Sequence, residues 1–259
     1  MDTTAVAIVT GGAGSIGTAI GRRLIDLGFR LVVADMAPEA VERTVTQLGA
    51  AGSFVADLTR PDAVLELFQT AMALGPVHVV VNSLGISPKH NGAKKPFDLI
   101  DADEWQRVFA VNVLAPFLVI REAAQHMPTN GVSSIVNIGS ITARLGAGGA
   151  PDTSFPPHTP SAAHYAASKA ALHNLGMSLS RELAPKRIRV NTVAPGYVAT
   201  AMTSEVPNDD GARILSQVPL GRAAVPDDVA NAVDFLISDR ATYMTGAVID
   251  VNGGWLPAF

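Results

Sequence analysis

A short apolar, β-branched run at residues 5–9 leads directly into Thr10-Gly11-Gly12-Ala13-Gly14-Ser15-Ile16-Gly17, after which Ile16, Ile20, Leu24 and Leu27 recur at helical spacing. No other feature restricts the fold of this chain as strongly. The apolar run favours a buried strand, and a period of 3.6 beginning inside a glycine cluster favours a helix that starts at the turn. Gly28 ends that helix, and Leu31-Val32-Val33-Ala34 rebuilds a strand that stops at Asp35. This is one βαβ unit, with two parallel strands and a helix crossing between them.

The alternation continues to the end of the chain. A helix at 38–48, a strand at 53–56, a helix opened by Thr59-Arg60-Pro61-Asp62 with capping-box spacing, and a strand at 77–81 follow. Asp101-Ala102-Asp103-Glu104 is a second capping-box candidate, heading a long helix towards His126. Strands at 134–138, 188–193 and 247–251 then alternate with helices at 165–183 and 227–237. Continuous apolar strands require cover on both faces. The expected fold class is α/β: a single-domain, Rossmann-type, doubly wound parallel sheet over residues 1–259, with helices on both faces. Residues 139–163 and 197–219 carry no clear period, and loops of that length act as lids or binding loops.

Composition narrows the chemistry. With no cysteine among 259 residues, disulfides, thiolate nucleophiles, iron–sulfur clusters and Cys-based zinc sites are excluded. The six histidines form no H-E-x-x-H pattern, so no catalytic metal is expected. A balance of 19 basic against 23 acidic residues gives no electrostatic footprint for nucleic acid or an anionic membrane. The longest mainly apolar stretch, residues 108–120, is broken by Asn112 and Pro116 and is shorter than the ~18–20 residues of a membrane span. The start, Met1-Asp2-Thr3-Thr4, lacks the basic region of a secretory signal, and a cytoplasmic protein without membrane or nucleic-acid partners is expected.

Gly12-x-Gly14-x-x-Gly17 satisfies the dinucleotide pattern between a strand and a helix. Glycines admit a pyrophosphate close to the backbone, and the helix start supplies N–H donors and partial positive charge. Asp35 stands 18 residues past Gly17, at the end of the second strand, where a carboxylate accepts from ribose hydroxyls. It would repel a 2′-phosphate by a few kcal/mol at ~4 Å. Neither residues 11–17 nor 36–38 supply a Lys or Arg to offset this, so NAD is expected over NADP. Tyr165 and Lys169 lie four residues apart, on one helix face, where a cation favours the phenolate and moves tyrosine from its usual value near 10 towards neutrality.

Taken together, the motifs resemble those of the short-chain dehydrogenase/reductase (SDR) family over essentially the whole chain. Thr10-Gly11-x-x-x-Ser15-x-Gly17, Asp57, Asn82-Ser83-Leu84-Gly85, Asn112, Ser140, Tyr165-x-x-x-Lys169 and Pro195-Gly196-x-x-x-Thr200 occur in that family's order. The resemblance implies an NAD-dependent oxidoreductase interconverting a secondary alcohol and a ketone by hydride transfer. It implies Tyr165 as the catalytic acid/base, Lys169 as the group that lowers its pKa and binds the nicotinamide ribose, Ser140 as hydrogen-bond partner of the substrate oxygen, and Asn112 as holder of a relay water. Pro116, four residues past Asn112, has no N–H, which removes the helical donor of the Asn112 carbonyl. For cofactor binding the resemblance implies Gly11, Gly14, Ser15, Ile16 and Gly17 at the pyrophosphate turn. It also implies Asp35, Asp57, Leu58 and Asn82 on the adenosine side, and Val198 and Thr200, with Tyr165 and Lys169, at the nicotinamide. Asn191 resembles a structural residue of the family. A homotetramer is likewise implied, with the apolar tail Trp255-Leu256-Pro257-Ala258-Phe259 against a neighbouring subunit.

The chain departs from the family pattern in three places. Ser15 replaces a glycine, and Ser83-Leu84 stands within the usual Asn-Asn-Ala-Gly segment. Ser140 and Tyr165 are 25 residues apart, more than is usual, so residues 140–164 are expected to form an enlarged active-site loop, read as a lid with a subunit contact or a surface insertion as the alternatives, and residues 197–220 a substrate-binding loop. A basic run, Lys89, His90, Lys94 and Lys95, reads as a solvated loop near the active-site mouth, and His164 as a packing residue. Cyclic alcohols, diols, polyols and sugar derivatives fit as substrates. The alternatives are an NADPH-dependent 3-oxoacyl-type reductase and, in a different class, a non-catalytic dinucleotide-sensing scaffold.

Overall fold

The computed structural model describes residues 4–90, 93–129, 133–146, 162–204 and 208–256. In chain order the elements are β1 (Val6–Thr10), α1 (Ser15–Asp26), β2 (Arg30–Asp35), α2 (Pro38–Leu48), β3 (Gly52–Val55), α3 (Pro61–Met72) and β4 (Val77–Asn82). Two short antiparallel strands follow, β5 (Lys89–His90) and β6 (Ala93–Lys94). Helix α4 (Ala102–Phe109) passes through a π-helical turn, Ala110–Leu114, into α5 (Ala115–His126). The second half holds β7 (Ser133–Ile138), α6 (Thr142–Leu145), α7 (Ala163–Leu183), β8 (Ile188–Pro195), α8 (Ala201–Ser204), α9 (Asn208–Leu215), α10 (Pro226–Ile237) and β9 (Val248–Val251).

Seven strands form one parallel sheet in the order β3-β2-β1-β4-β7-β8-β9. The order reverses at β1, which pairs with β2 on one side and β4 on the other. Chains leaving the carboxyl ends there diverge to opposite faces, and that divergence opens a crevice. The fully buried strands sort their side chains by the period of two. Val6 and Ile8 of β1 join the core under α3 and α5 with Leu67, Phe68 and Val119, while Ala7 and Val9 join that under α1 and α10 with Ile20, Leu24 and Val233. This two-sided burial explains the unbroken apolar runs Val6–Val9 of β1, Leu31–Ala34 of β2 and Val79–Val81 of β4.

Expected and observed elements agree to within two or three residues at their ends, with informative exceptions. Thr59 does not cap α3, whose N-cap is Arg60. Instead its N–H and hydroxyl both donate to Asp57 Oδ1, at 2.9 and 2.8 Å, because a local turn competes with capping. Asp101 does cap α4, accepting from the Glu104 N–H at 2.7 Å, but the Glu104 carboxylate turns to Lys95 Nζ at 2.7 Å, so only half of the capping box forms. The segment at 197–219 contains two helices, α8 and α9, that no period announced. Of the expected loop at 140–164, residues 142–145 form α6, and residues 147–161, on which the lid reading rests, lie outside the described residues. One helical run, Ala102–His126, is long and apolar enough to cross a membrane, and half of its most apolar window is buried within the fold.

Candidate active site

The carboxyl ends of β1, β2 and β4 open on a groove lined by Gly11, Gly14, Ser15, Ile16 and Gly17, by Asp35, Asp57 and Leu58, and by Ser83, Leu84 and Gly85. Gly11 has φ +64°, and a Cβ there would lie 2.6 Å from the Leu84 main chain, while one on Gly17 would overlap the Gly11 carbonyl. Those two glycines are required by the turn itself. Gly14 differs, because its Cβ would come no nearer than 3.4 Å to any protein atom. The missing side chain at Gly14 therefore leaves space to the groove. Gly14 is also the N-cap of α1, which has no side-chain cap and no acid in its first turn. Its unpaired N–H donors and partial positive charge fit a pyrophosphate.

Asp35 is fixed at the rim by N–H donors from Ala13 at 3.2 Å and Met36 at 2.7 Å. Among the described residues lining this groove there are two carboxylates, Asp35 and Asp57, and no Lys or Arg. Asn82 lies elsewhere than expected. Its side chain is fully buried in the sheet, donating to Asn137 Oδ1 at 2.9 Å and accepting from Thr10 Oγ1 at 3.3 Å, and it lines neither this groove nor the cavity beyond.

Through Ile16, Leu84 and Thr200 the groove continues into a second cavity, whose wall carries Ser140, Tyr165, Lys169 and Val198. Tyr165 and Lys169 are successive rungs of α7, and Ser140 follows the end of β7. Lys169 Nζ is buried, donates to the Ile138 carbonyl at 2.9 Å and lies 5.8 Å from the Tyr165 ring centroid. Desolvation pushes its pKa down to about 8. A Cβ on Gly85 would sit 3.2 Å from Nζ, so that glycine makes room for the ammonium. Burial also pushes the Tyr165 phenol above its ordinary value, outweighing the hydrogen bond from Ser140 that pulls it down. The sequence reading has Lys169 lowering this pKa; in the structure its Nζ is committed to Ile138, and burial dominates.

Ser140 Oγ accepts from the Thr142 N–H at 3.2 Å and the Thr142 hydroxyl at 2.9 Å. With two donors on its oxygen, the serine's own proton is left for an acceptor in the cavity, either the Tyr165 oxygen or a substrate oxygen. Asn112 is fully buried in the π-helical turn, where Ala115 N–H reaches back to the Ala110 carbonyl. Its amide accepts from the Ile86 N–H at 2.8 Å and donates to the Ile86 carbonyl at 3.0 Å and to Ser168 Oγ at 2.9 Å. The Asn112 side chain thus clamps the chain leaving β4 onto α7, and it lines neither cavity. Thr142 and His173, which accepts from the Ser140 N–H, were not singled out as site residues by the sequence; Thr142 lies only two positions from Ser140, and His173 continues the Tyr165–Lys169 spacing by four.

The remaining candidates separate in space. The basic run splits: Lys89 lines the second cavity and donates to the Met202 carbonyl at 2.6 Å, whereas Lys95 is tied to Glu104. His164 is fully buried with Nε2 3.0 Å from Glu104 Oε1, away from both cavities, and burial holds its pKa below the usual value despite that carboxylate. Asn191 bridges the Met244 carbonyl and the Ala247 N–H, at 2.9 and 3.0 Å, a structural tie between β8 and the approach to β9.

Known proteins share the fold over nearly the whole chain. A family model described as enoyl-(acyl carrier protein) reductase matches residues 11–256. The galactitol 2-dehydrogenase (L-tagatose-forming) of Cereibacter sphaeroides is 36% identical over 257 residues, covering 97% of this chain and 94% of that protein. The cis-4-hydroxycyclohexanecarboxylate dehydrogenase of Sinomonas cyclohexanicum is 36% identical over 254 residues, covering 96% of each. Among solved structures, the 3-ketoacyl-(acyl-carrier-protein) reductase from Brucella melitensis complexed with NADH superimposes with a TM-score of 0.84 at 28% identity, over 96% of this chain and 97% of that one. Similarity that runs nearly the full length of each relative, on a sheet whose switch point carries the glycine turn, makes this chain a member of the short-chain dehydrogenase/reductase family, oxidoreductases that act on CH–OH donors with a nicotinamide dinucleotide.

Proposed function

We propose that the protein interconverts a secondary alcohol and a ketone with NAD(H) rather than NADP(H). The observation that carries this reading is the convergence of Tyr165, Ser140 and Lys169 on one cavity wall that continues into a groove holding two carboxylates and no cation. When bound, the cofactor supplies the hydride acceptor or donor. Ser140 holds the substrate oxygen through the proton that Thr142 leaves free, and Tyr165 removes the hydroxyl proton in oxidation and returns it in reduction. Lys169, still charged at neutral pH, stabilises the phenolate that forms, and the Asn112 carbonyl, lacking an α-helical donor from Pro116, serves a relay water.

Polyols, diols, sugar derivatives and cyclic alcohols are the proposed substrates: the cavity wall offers Thr142 and Tyr197 hydroxyls beside the Trp255 ring, and the relatives include enzymes named for galactitol and a hydroxycyclohexanecarboxylate. The similarity to a ketoacyl reductase favours a second reading, reduction of a 3-oxoacyl group. A panel of secondary alcohols and 3-oxoacyl thioesters, assayed with each cofactor through the absorbance of its reduced form, separates the two. NAD-linked alcohol oxidation is expected. Tyr165→Phe should lower turnover by about 10²–10⁴-fold with NAD binding intact. NAD binding without turnover of any substrate in the unsubstituted protein would favour the dinucleotide-sensing scaffold. A homotetramer belongs to the same proposal, supported by exposed Trp105, Leu114, Phe117 and Met177 on neighbouring parts of α4, the π turn, α5 and α7.

A further inference from the structure

We propose that His173 is a positioning residue for Ser140: its neutral imidazole holds the main chain of the serine so that the hydroxyl meets Tyr165. The inference rests on the reading of Ser140 and Tyr165 as reacting groups. Tyr165, Lys169 and His173 are spaced by four along α7 and form one stripe, and each rung holds the end of β7 at a different atom. Tyr165 meets the Ser140 hydroxyl, Lys169 donates to the Ile138 carbonyl at 2.9 Å, and His173 Nε2 accepts the Ser140 N–H at 3.3 Å.

The backbone at this point needs that acceptor. The N–H groups of Gly139 and Ile141 go to the carbonyls of Val193 and Pro195 on β8, at 2.7 and 3.1 Å, so the Ser140 N–H between them faces away from β8. On the other side the β4 ladder has already ended at Asn82–Asn137. A buried N–H without a partner is costly, and no strand supplies one here. Gly139 completes the fit, since a Cβ there would overlap His173 Nε2 and come within 2.9 Å of the Thr192 side chain. The ring is therefore seated against a position that has no side chain.

Acceptance at Nε2 requires the proton on Nδ1 and an uncharged ring. The charged groups around the ring are Lys169 on its own helix, Arg144 on α6 and Asp250 on β9, the last two paired with each other. Burial and the two cations outweigh the single carboxylate and push the His173 pKa down to about 4, so the acceptor persists through neutrality.

The test compares His173→Leu, which removes the acceptor, with His173→Gln, whose amide oxygen can replace Nε2. For His173→Leu we expect kcat/KM to fall about tenfold with the Kd for NAD unchanged. The apparent pKa of Tyr165 should rise, because the loosened Ser140 hydroxyl no longer favours the phenolate. His173→Gln should recover most of both effects. A ring that merely fills space would lower the amount of folded enzyme without moving that pKa. A folded His173→Leu protein with unchanged kcat/KM and pH profile overturns the proposal. If His173→Leu does not fold, His173→Asn, too short to reach Ser140, takes its place with the same criteria. If no alcohol or ketone is turned over, the oxidoreductase reading fails separately. Ultraviolet titration of the phenol, with Tyr165→Phe as the blank, still reports whether His173 moves the Tyr165 pKa.

Discussion

In the proposed NAD-linked reading, cofactor choice turns on Asp35. Its carboxylate is held by two main-chain N–H groups at the groove rim and has no cation beside it in the described lining. Replacing it by alanine removes both the ribose acceptor and the repulsion of a 2′-phosphate. The ratio of kcat/KM for NAD over NADP should fall by about 10–100-fold, the effect of a few kcal/mol, in parallel assays with the two cofactors. His173 makes a stability prediction of its own. It titrates at about 4 in the folded protein against 6.5 ordinarily, so between those values the unfolded chain binds the extra proton. Stability therefore rises with pH across this window and carries its full cost below about 4. At about 1.4 kcal/mol per pH unit, the window is worth ~3 kcal/mol. Denaturant titrations at several pH values should show His173→Gln losing less stability on acidification than the unsubstituted protein by about that amount.

The π-helical turn shows the coupling at the scale of elements. Pro116 announces an interruption of the helix, and the interruption takes the form of one wider turn that buries Asn112. Asn112→Ala would leave the N–H and carbonyl of Ile86 without partners. That should cost ~2–4 kcal/mol in urea unfolding and weaken NAD binding, since the same chain segment, Ser83 to Ile86, lines the cofactor groove. Most elements were legible in the sequence from local signals, such as the spacing of three and four that marks α1 and the continuous apolar runs that mark β1, β2 and β4. α8 and α9 were not, because they are short and anchored by tertiary contacts, such as the fully buried Ile214 packed with Ile141 and Trp255. The Thr59 cap failed for a related reason. A capping signal is a local competition, and the nearby Asp57 carboxylate won it.

Across the whole molecule, the two-faced core and the exposed helical face let stability and the proposed assembly be tested separately. Leu67→Ala, at a fully buried position that lines neither cavity, should lower stability by ~2–5 kcal/mol while leaving kcat/KM unchanged below the melting point. If the proposed tetramer uses this face, Phe117→Arg, on the exposed face of α5, should sediment as smaller species than the unsubstituted protein; an unchanged tetrameric mass would place the subunit contact elsewhere. The order of βα units, the glycine turn, the acid at the end of β2 and the Tyr165–Lys169 pair were determined by the sequence alone, since each depends on neighbours within one turn, one strand or one βαβ unit. Only the tertiary structure decided that Asn82 faces into the sheet, that the Asn112 amide clamps Ile86 and Ser168, that burial sets the Tyr165 pKa, and that His173 holds Ser140. Those outcomes depend on groups 26 to 72 positions apart, such as Thr10 with Asn82 and Ser140 with His173, and no local period encodes where packing brings two such groups together.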